Sequence, residues 1–160
     1  MARQRIDWDN YFLNIAREVS KRATCLRRSY GAVVVDIFYD IVSTGYNGAA
    51  SKLEDCFERG YCIRQQQNVP SGQRYELCRS VHAEANALMY AGIQSKGAVL
   101  YVCGEEADGS LTEGKPCSMC ARMILNSHLD KVISRMKDGS IKQYTMQELE
   151  QIADSFGNTP

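Results

Sequence analysis

The sequence has no excess of either charge. Its 19 Lys and Arg stand against 19 Asp and Glu, for a formal net charge of zero. Proteins that live on a phosphate backbone usually carry a basic excess, because neutralising phosphates supplies the affinity. Nucleic acid is therefore not the expected partner, and a small ligand is. The chain also lacks any run of 18 consecutive apolar residues, which excludes a helical membrane span. Its start, Met1-Ala2-Arg3-Gln4-Arg5-Ile6-Asp7-Trp8, turns acidic and amphipathic where a signal peptide needs an unbroken apolar stretch. The expected compartment is the reducing cytoplasm, where disulfides are rare. Seven cysteines then need another role, and metal binding is the leading one.

A length of 160 residues corresponds to about one domain, expected here over residues 1–160. Trp8, Tyr11, Phe12, Ile15, Ala16 and Val19 recur at helical spacing, with Asp7 placed as the cap, so the first helix is expected to run to about Ala23. Gly31 to Asp36 and Ile41 to Tyr46 read as neighbouring strands. The polar stretch from Tyr46 to about Ser80 is too long to stay structureless in a compact domain, so something should organise it. Val81 to Ala91 reads as a helix and Ala98 to Cys103 as a buried strand. Asp108-Gly109-Ser110 marks a turn, and Pro116 suits the first turn of a helix reaching about Ser127. Lys131 to Ser134 follows as a short strand, and Thr145-Met146-Gln147-Glu148 is a capping box for a last helix. This order predicts an α/β fold, a sheet with helices on both faces.

The chemistry concentrates in two segments, His82-Ala83-Glu84 and Pro116-Cys117-Ser118-Met119-Cys120, each opening an expected helix. A catalytic zinc takes three protein ligands and keeps a fourth position for water. One imidazole and two thiolates from adjacent helix starts meet that need, and helix starts favour the negative charge involved. Glu84, two residues after His82, is close enough to face the open position without occupying it. Either half alone is weak, since a Cys-x-x-Cys pair can equally be redox-active. Together, 35 positions apart and in this order, they match the H-x-E…P-C-x-x-C signature of zinc deaminases.

From about Trp8 to Val132 the chain resembles the cytidine and deoxycytidylate deaminase superfamily, most closely its deoxycytidylate (dCMP) branch. The matching segments are Thr24-Cys25-Leu26-Arg27-Arg28, Gly31-Ala32-Val33-Val34, Ser43-Thr44-Gly45-Tyr46-Asn47-Gly48 and His82-Ala83-Glu84-Ala85-Asn86-Ala87. The resemblance implies a cytidine deaminase-like three-layer α/β/α sandwich around a mixed sheet of about five strands. It implies hydrolysis of dCMP to dUMP and ammonia, with zinc on His82, Cys117 and Cys120 and with Glu84 carrying protons from water to N3 and then to the departing amine. Asn47 resembles the family residue that contacts sugar and base, although an Asn-Gly pair also makes a simple turn. Arg27 resembles the phosphate-binding arginine, with Arg28 beside it as the competing assignment. The backbone of Ala83 is the implied contact to the base edge. Also implied are a homo-oligomer, a hexamer before a dimer or tetramer, and dCTP and dTTP as effectors, with Mg2+ accompanying such a nucleotide.

Cys25, Cys56, Cys62 and Cys78 resemble positions that hold a second, structural zinc in several dCMP deaminases. Four thiolates would close a tetrahedral site and pin the long polar stretch, whereas unligated buried thiols are the alternative. Cys103 ends a buried strand and reads as a small apolar residue, and His128 as a surface histidine near a helix end. Beyond Val132, in Ile133-Ser134-Arg135-Met136-Lys137-Asp138, the likeness stops, and Glu105 to Lys115 reads as a polar insertion.

Overall fold

The computed structural model describes residues 3–155; Met1, Ala2 and the last five residues of the expected 1–160 domain lie outside the described residues. Helix α1 spans Trp8–Ser20, and Asp7 caps it by accepting from the Asn10 N–H at 2.9 Å. It stops short of Ala23 because the chain turns there and the Thr24 N–H is taken by the Asn47 carbonyl. Strand β1 (Arg28–Val35) starts three residues before the predicted Gly31. Its extra residues Arg28, Ser29 and Tyr30 find partners in Glu106, Glu105 and Gly104 of β5 (Val99–Glu106). Asp36 lies past its end, accepting from the Phe38 and Asp40 N–H groups in the turn before β2 (Ile41–Tyr46).

The sheet order is β2-β1-β5-β7-β8, with β7 at Lys131–Arg135 and β8 at Ile141–Tyr144. Only β5 and β7 run parallel along this path; the other neighbours are antiparallel. A short β6 (Leu111–Thr112) folds back on β5, so the polar insertion is a hairpin around Gly109. Side chains alternate across β1 as the pleat requires. Val33 and Val35 meet Phe12, Leu13 and Ala16 of α1 on one face. Ala32 and Val34 meet the other face, covered by α4 (Ala83–Ala91), α5 (Ser118–Asn126) and α6 (Met146–Ala153). The three-layer arrangement inferred from the sequence is the one observed.

Two glycines set the layer spacing. A Cβ on Gly31 would collide with the Ala16 carbonyl of α1, and one on Gly45 with the Ala83 carbonyl and Ala87 N–H of α4. Helix α4, which opens on His82, can sit this close to β2 only because residue 45 has no side chain.

The stretch from 47 to 80 is folded throughout. Gly48–Ala49 (β3) pairs with Ser80–Val81 (β4), so Val81 is in a strand and α4 begins two residues later than its pattern suggests. Asp55 and Glu58 form a capping box on α2 (Cys56–Arg59), which Gly60 ends in the left-handed region at φ 73°. Helix α3 (Ile63–Gln66) follows, and Arg64 holds the next segment by donating to the carbonyls of Pro70 and Gln73.

Candidate active site

His82 and Cys117 are not inside their helices. Each is the N-cap residue, of α4 and α5 respectively. Pro116 therefore lies just outside α5 and not in its first turn. Glu84 and Cys120 come from the first turns that follow. This projects all four side chains from two helix N-termini, where unsatisfied N–H groups and aligned peptide dipoles favour negative charge. The Cys117 sulfur accepts from the Cys120 N–H at 3.4 Å.

The His82 Nδ1 lies 3.4 Å from Cys117 Sγ and 3.5 Å from Cys120 Sγ. Ligands of a tetrahedral zinc, with bonds of about 2.0–2.3 Å, stand roughly 3.5 Å apart. The donor set therefore fits a zinc ion. Among the described residues, these three form the one group of metal-ligating side chains within 4.8 Å of one another. Hydrogen bonding with Cys120 and with His82 pulls the Cys117 thiol well below its usual range, so it is the readier thiolate. Burial opposes a charged His82, but its hydrogen bond with Cys117 and the Glu84 carboxylate outweigh that and raise its pKa.

Glu84 is 6% exposed. Burial pushes its carboxyl above the ordinary value, and the His82 charge only partly offsets this. It lines a cavity of about 140 Å³ together with His82, Ala83 and Cys117. A raised pKa beside a metal-ligand cluster in a cleft is what a proton carrier near neutral pH requires.

The remaining sequence-derived residues divide. Ala83, first residue of α4, lines the cavity, and its N–H has no partner within the helix. Asn47 lines the cavity too and is 7% exposed. It makes no hairpin turn. The chain passes there from β2 to β3, while its Oδ1 accepts from the Tyr30 N–H at 2.7 Å and its Nδ2 donates to the Arg28 carbonyl at 2.9 Å. One amide hydrogen is left for a ligand. Both arginines reach the cavity, but Arg28 is paired with Glu106 at 2.9 Å. Arg27 has no ion pair among the described residues, so of these two arginines it is the one without a carboxylate partner.

Cys25, Cys56, Cys62 and Cys78 are all free, and no three of their sulfurs come within 4.8 Å of one another. They are neighbours nonetheless. Burial raises the Cys56 thiol, and the charges of Cys25, Cys62 and Cys78 add to that. Cys103 is buried and its thiol is pushed up to about 11, chiefly by burial. His128 is exposed, at φ 56° beyond α5. Sequence reasoning missed Arg64, Tyr75 and Lys115, which also line the cavity. Arg64 sits in the four-residue α3, Tyr75 in a single 3-10 turn and Lys115 in a loop, all too short to show periodicity, so no pattern pointed to them. The residues past Val132 build β7, β8 and their turn, and Lys137, Lys142 and Tyr144 face a larger cleft of about 940 Å³ that shares Arg28, Tyr30 and Cys117 with the cavity. No helix among the described residues is long and apolar enough to cross a membrane.

Comparison with known proteins agrees with this geometry. The family model for the cytidine and deoxycytidylate deaminase zinc-binding region matches residues 6–136. A deoxycytidylate deaminase of Mycobacterium phage D29 is 38% identical over 135 residues, covering 81% of this chain and 94% of the phage protein. Those of Schizosaccharomyces pombe and Saccharomyces cerevisiae are each 32% identical, over 82% and 86% of this chain, which spans only 38% and 42% of their lengths. In fold, the chain is similar to the dCMP deaminase of cyanophage S-TIM5 solved with dCMP and dUMP, at a TM-score of 0.61, 23% identity, and coverage of 94% of this chain and 96% of that one. With its ligand triad at two helix starts and this family model spanning most of its length, the chain belongs to the cytidine and deoxycytidylate deaminase family.

Proposed function

We propose that this chain hydrolyses dCMP to dUMP and ammonia, with His82, Cys117 and Cys120 as ligands of a catalytic zinc and Glu84 as the proton carrier. The observation that carries this reading is a buried, pKa-raised carboxyl beside a zinc-spaced donor triad, with Glu84, His82 and Cys117 lining one cavity. The phage relative, matched over nearly its whole length, supports the choice of substrate. Zinc held there supplies Lewis-acid activation of a water molecule. Glu84 takes a proton from that water and gives it to N3 of the pyrimidine. Once the C4–O bond has formed, Glu84 takes the second proton from the new C4 hydroxyl and passes it to the amine; the C4–N bond breaks, ammonia leaves and the C4 carbonyl forms. The free N–H of Ala83 and the remaining amide hydrogen of Asn47 orient the base and sugar, and Arg27 takes the 5′-phosphate.

The same reading includes a second, structural zinc on Cys25, Cys56, Cys62 and Cys78. The mutual influence of these thiols supports it. It includes self-association, to which the exposed Met89, Tyr90 and Ile93 offer an apolar face. It also includes dCTP and dTTP as effectors, accompanied by Mg2+, and a cytoplasmic location.

The deciding experiment is ammonia release by zinc-loaded protein on dCMP, dCTP, deoxycytidine and CMP, with Glu84→Ala as control. Preference for dCMP, abolished in the control, is the expected result. Preference for another member of the panel keeps the chemistry and moves the substrate. No turnover on any of them overturns the reading.

A further inference from the structure

Arg64 is the only buried lysine or arginine among the described residues, at 7% exposed. Its Nη2 donates to the carbonyls of Pro70 at 3.2 Å and Gln73 at 2.7 Å. The guanidinium lies 4.8 Å from the centre of the Tyr75 ring, and that ring meets His82 edge-on at 5.1 Å. Its Nε is buried with no hydrogen-bond partner, and Nη1 donates to no described residue. No carboxylate lies within ion-pairing distance of it; Glu76, the acid on the same segment, is exposed and engaged by Arg74. Arg64 nonetheless lines the cavity that contains His82, Glu84 and Arg27.

A buried cation without an anion is costly, because two carbonyls and a ring face do not replace its hydration. A clamp for the 70–73 turn alone would need a donor and no charge. A fixed guanidinium with unspent donors at the wall of a cavity suits an anion that arrives with the ligand. Resting on the nucleotide reading above, we propose that Arg64 is a specificity-determining residue that, with Arg27, holds the 5′-phosphate dianion and separates the nucleotide from the nucleoside.

The test is the ratio of kcat/KM on dCMP to kcat/KM on deoxycytidine, measured for the wild type, Arg64→Gln and Arg64→Lys. A hydrogen bond to a charged group is worth roughly ten- to a hundredfold in binding, so Arg64→Gln is expected to lower this ratio by about that factor, mainly through the KM for dCMP. Added guanidinium ion is expected to restore part of it. Arg64→Lys keeps the charge without the fork and is expected to fall between the two; it also carries the test if Arg64→Gln does not fold. If both substrates slow in proportion, with the ratio held, Arg64 is only a loop clamp. The inference then fails while the dCMP reading stands. If the wild type itself shows no preference for dCMP over deoxycytidine, the nucleotide reading fails, and this inference with it.

Discussion

Two sets of cysteines in this chain meet very different fates. Cys117 and Cys120 stand with His82 at the starts of two helices whose buried faces are locked into the core, and the three ligand atoms converge to zinc spacing. Cys25, Cys56, Cys62 and Cys78 sit on connecting segments and four-residue helices, and no three of their sulfurs gather within 4.8 Å. Regular elements packed on a sheet fix side chains before any ligand arrives; loops leave that work to the ligand. The first set is a preorganised site, and the second becomes one only if metal binding draws its segment together.

The sharpest way to break this comparison is at the carboxyl beside the preorganised triad. Glu84→Ala is expected to lower kcat by roughly 10²–10⁴-fold, the span of a lost proton carrier, while the zinc content stays that of the wild type by metal analysis. If zinc is lost as well, Glu84 is part of the binding site and not only of the chemistry. Preorganisation itself is tested at Gly45. A Cβ there meets the Ala83 carbonyl and the Ala87 N–H, so Gly45→Ala must push α4 off β2. The expected cost is about 2–3 kcal/mol by denaturant melting, with activity reduced because His82 and Glu84 move with the helix. Unchanged stability would mean that the helix is not held by this contact.

The fold was legible where hydrophobic periodicity and caps agree. Asp7 and Thr145 open their helices as their side chains suggest, and the alternation of β1 divides the two cores. Strand β8 was not anticipated because Lys142 and Gln143 give an edge strand little apolar pattern. The triad and Glu84 were readable because two short motifs each dictate a helix start. The choice of Arg27 over Arg28 was not, since it depends on Glu106, which lies 78 positions from Arg28 and meets it only through strand pairing. Arg64 was hidden for the same reason: its burial depends on how a loop folds over it.

The loop cysteines give a smaller effect, read in two channels. Cys56→Ser is expected to lower the zinc content from two ions per chain to one and to lower Tm, because a metal that binds only the folded state stabilises it. Activity per remaining catalytic zinc is expected to change little, since Cys56 is not among the residues lining the cavity. One zinc per chain in the wild type would remove the second site from the comparison.

Cys103 supplies the internal control, a thiol that is neither preorganised for metal nor gathered in the loop. It is packed between Phe12, Val33 and Ile133 in the core under α1, and burial pushes its pKa up to about 11. An unfolded thiol titrates near 8.5. Below that pH both states hold the proton, and the burial costs nothing further. As pH rises towards 11 the unfolded chain releases the proton and the folded chain keeps it, so the folded state is progressively disfavoured. The stability difference between wild type and Cys103→Ala, both zinc-loaded, should therefore drift against the wild type above pH 8.5 and be flat below it. At neutral pH the same thiol should resist alkylation in the folded protein, while the half-buried Cys25, Cys56 and Cys78 react once metal is removed. A Cys103 that alkylates as fast as Cys56 would mean that the core under α1 opens as readily as the loop, and the contrast between scaffold and loop would lose its physical basis.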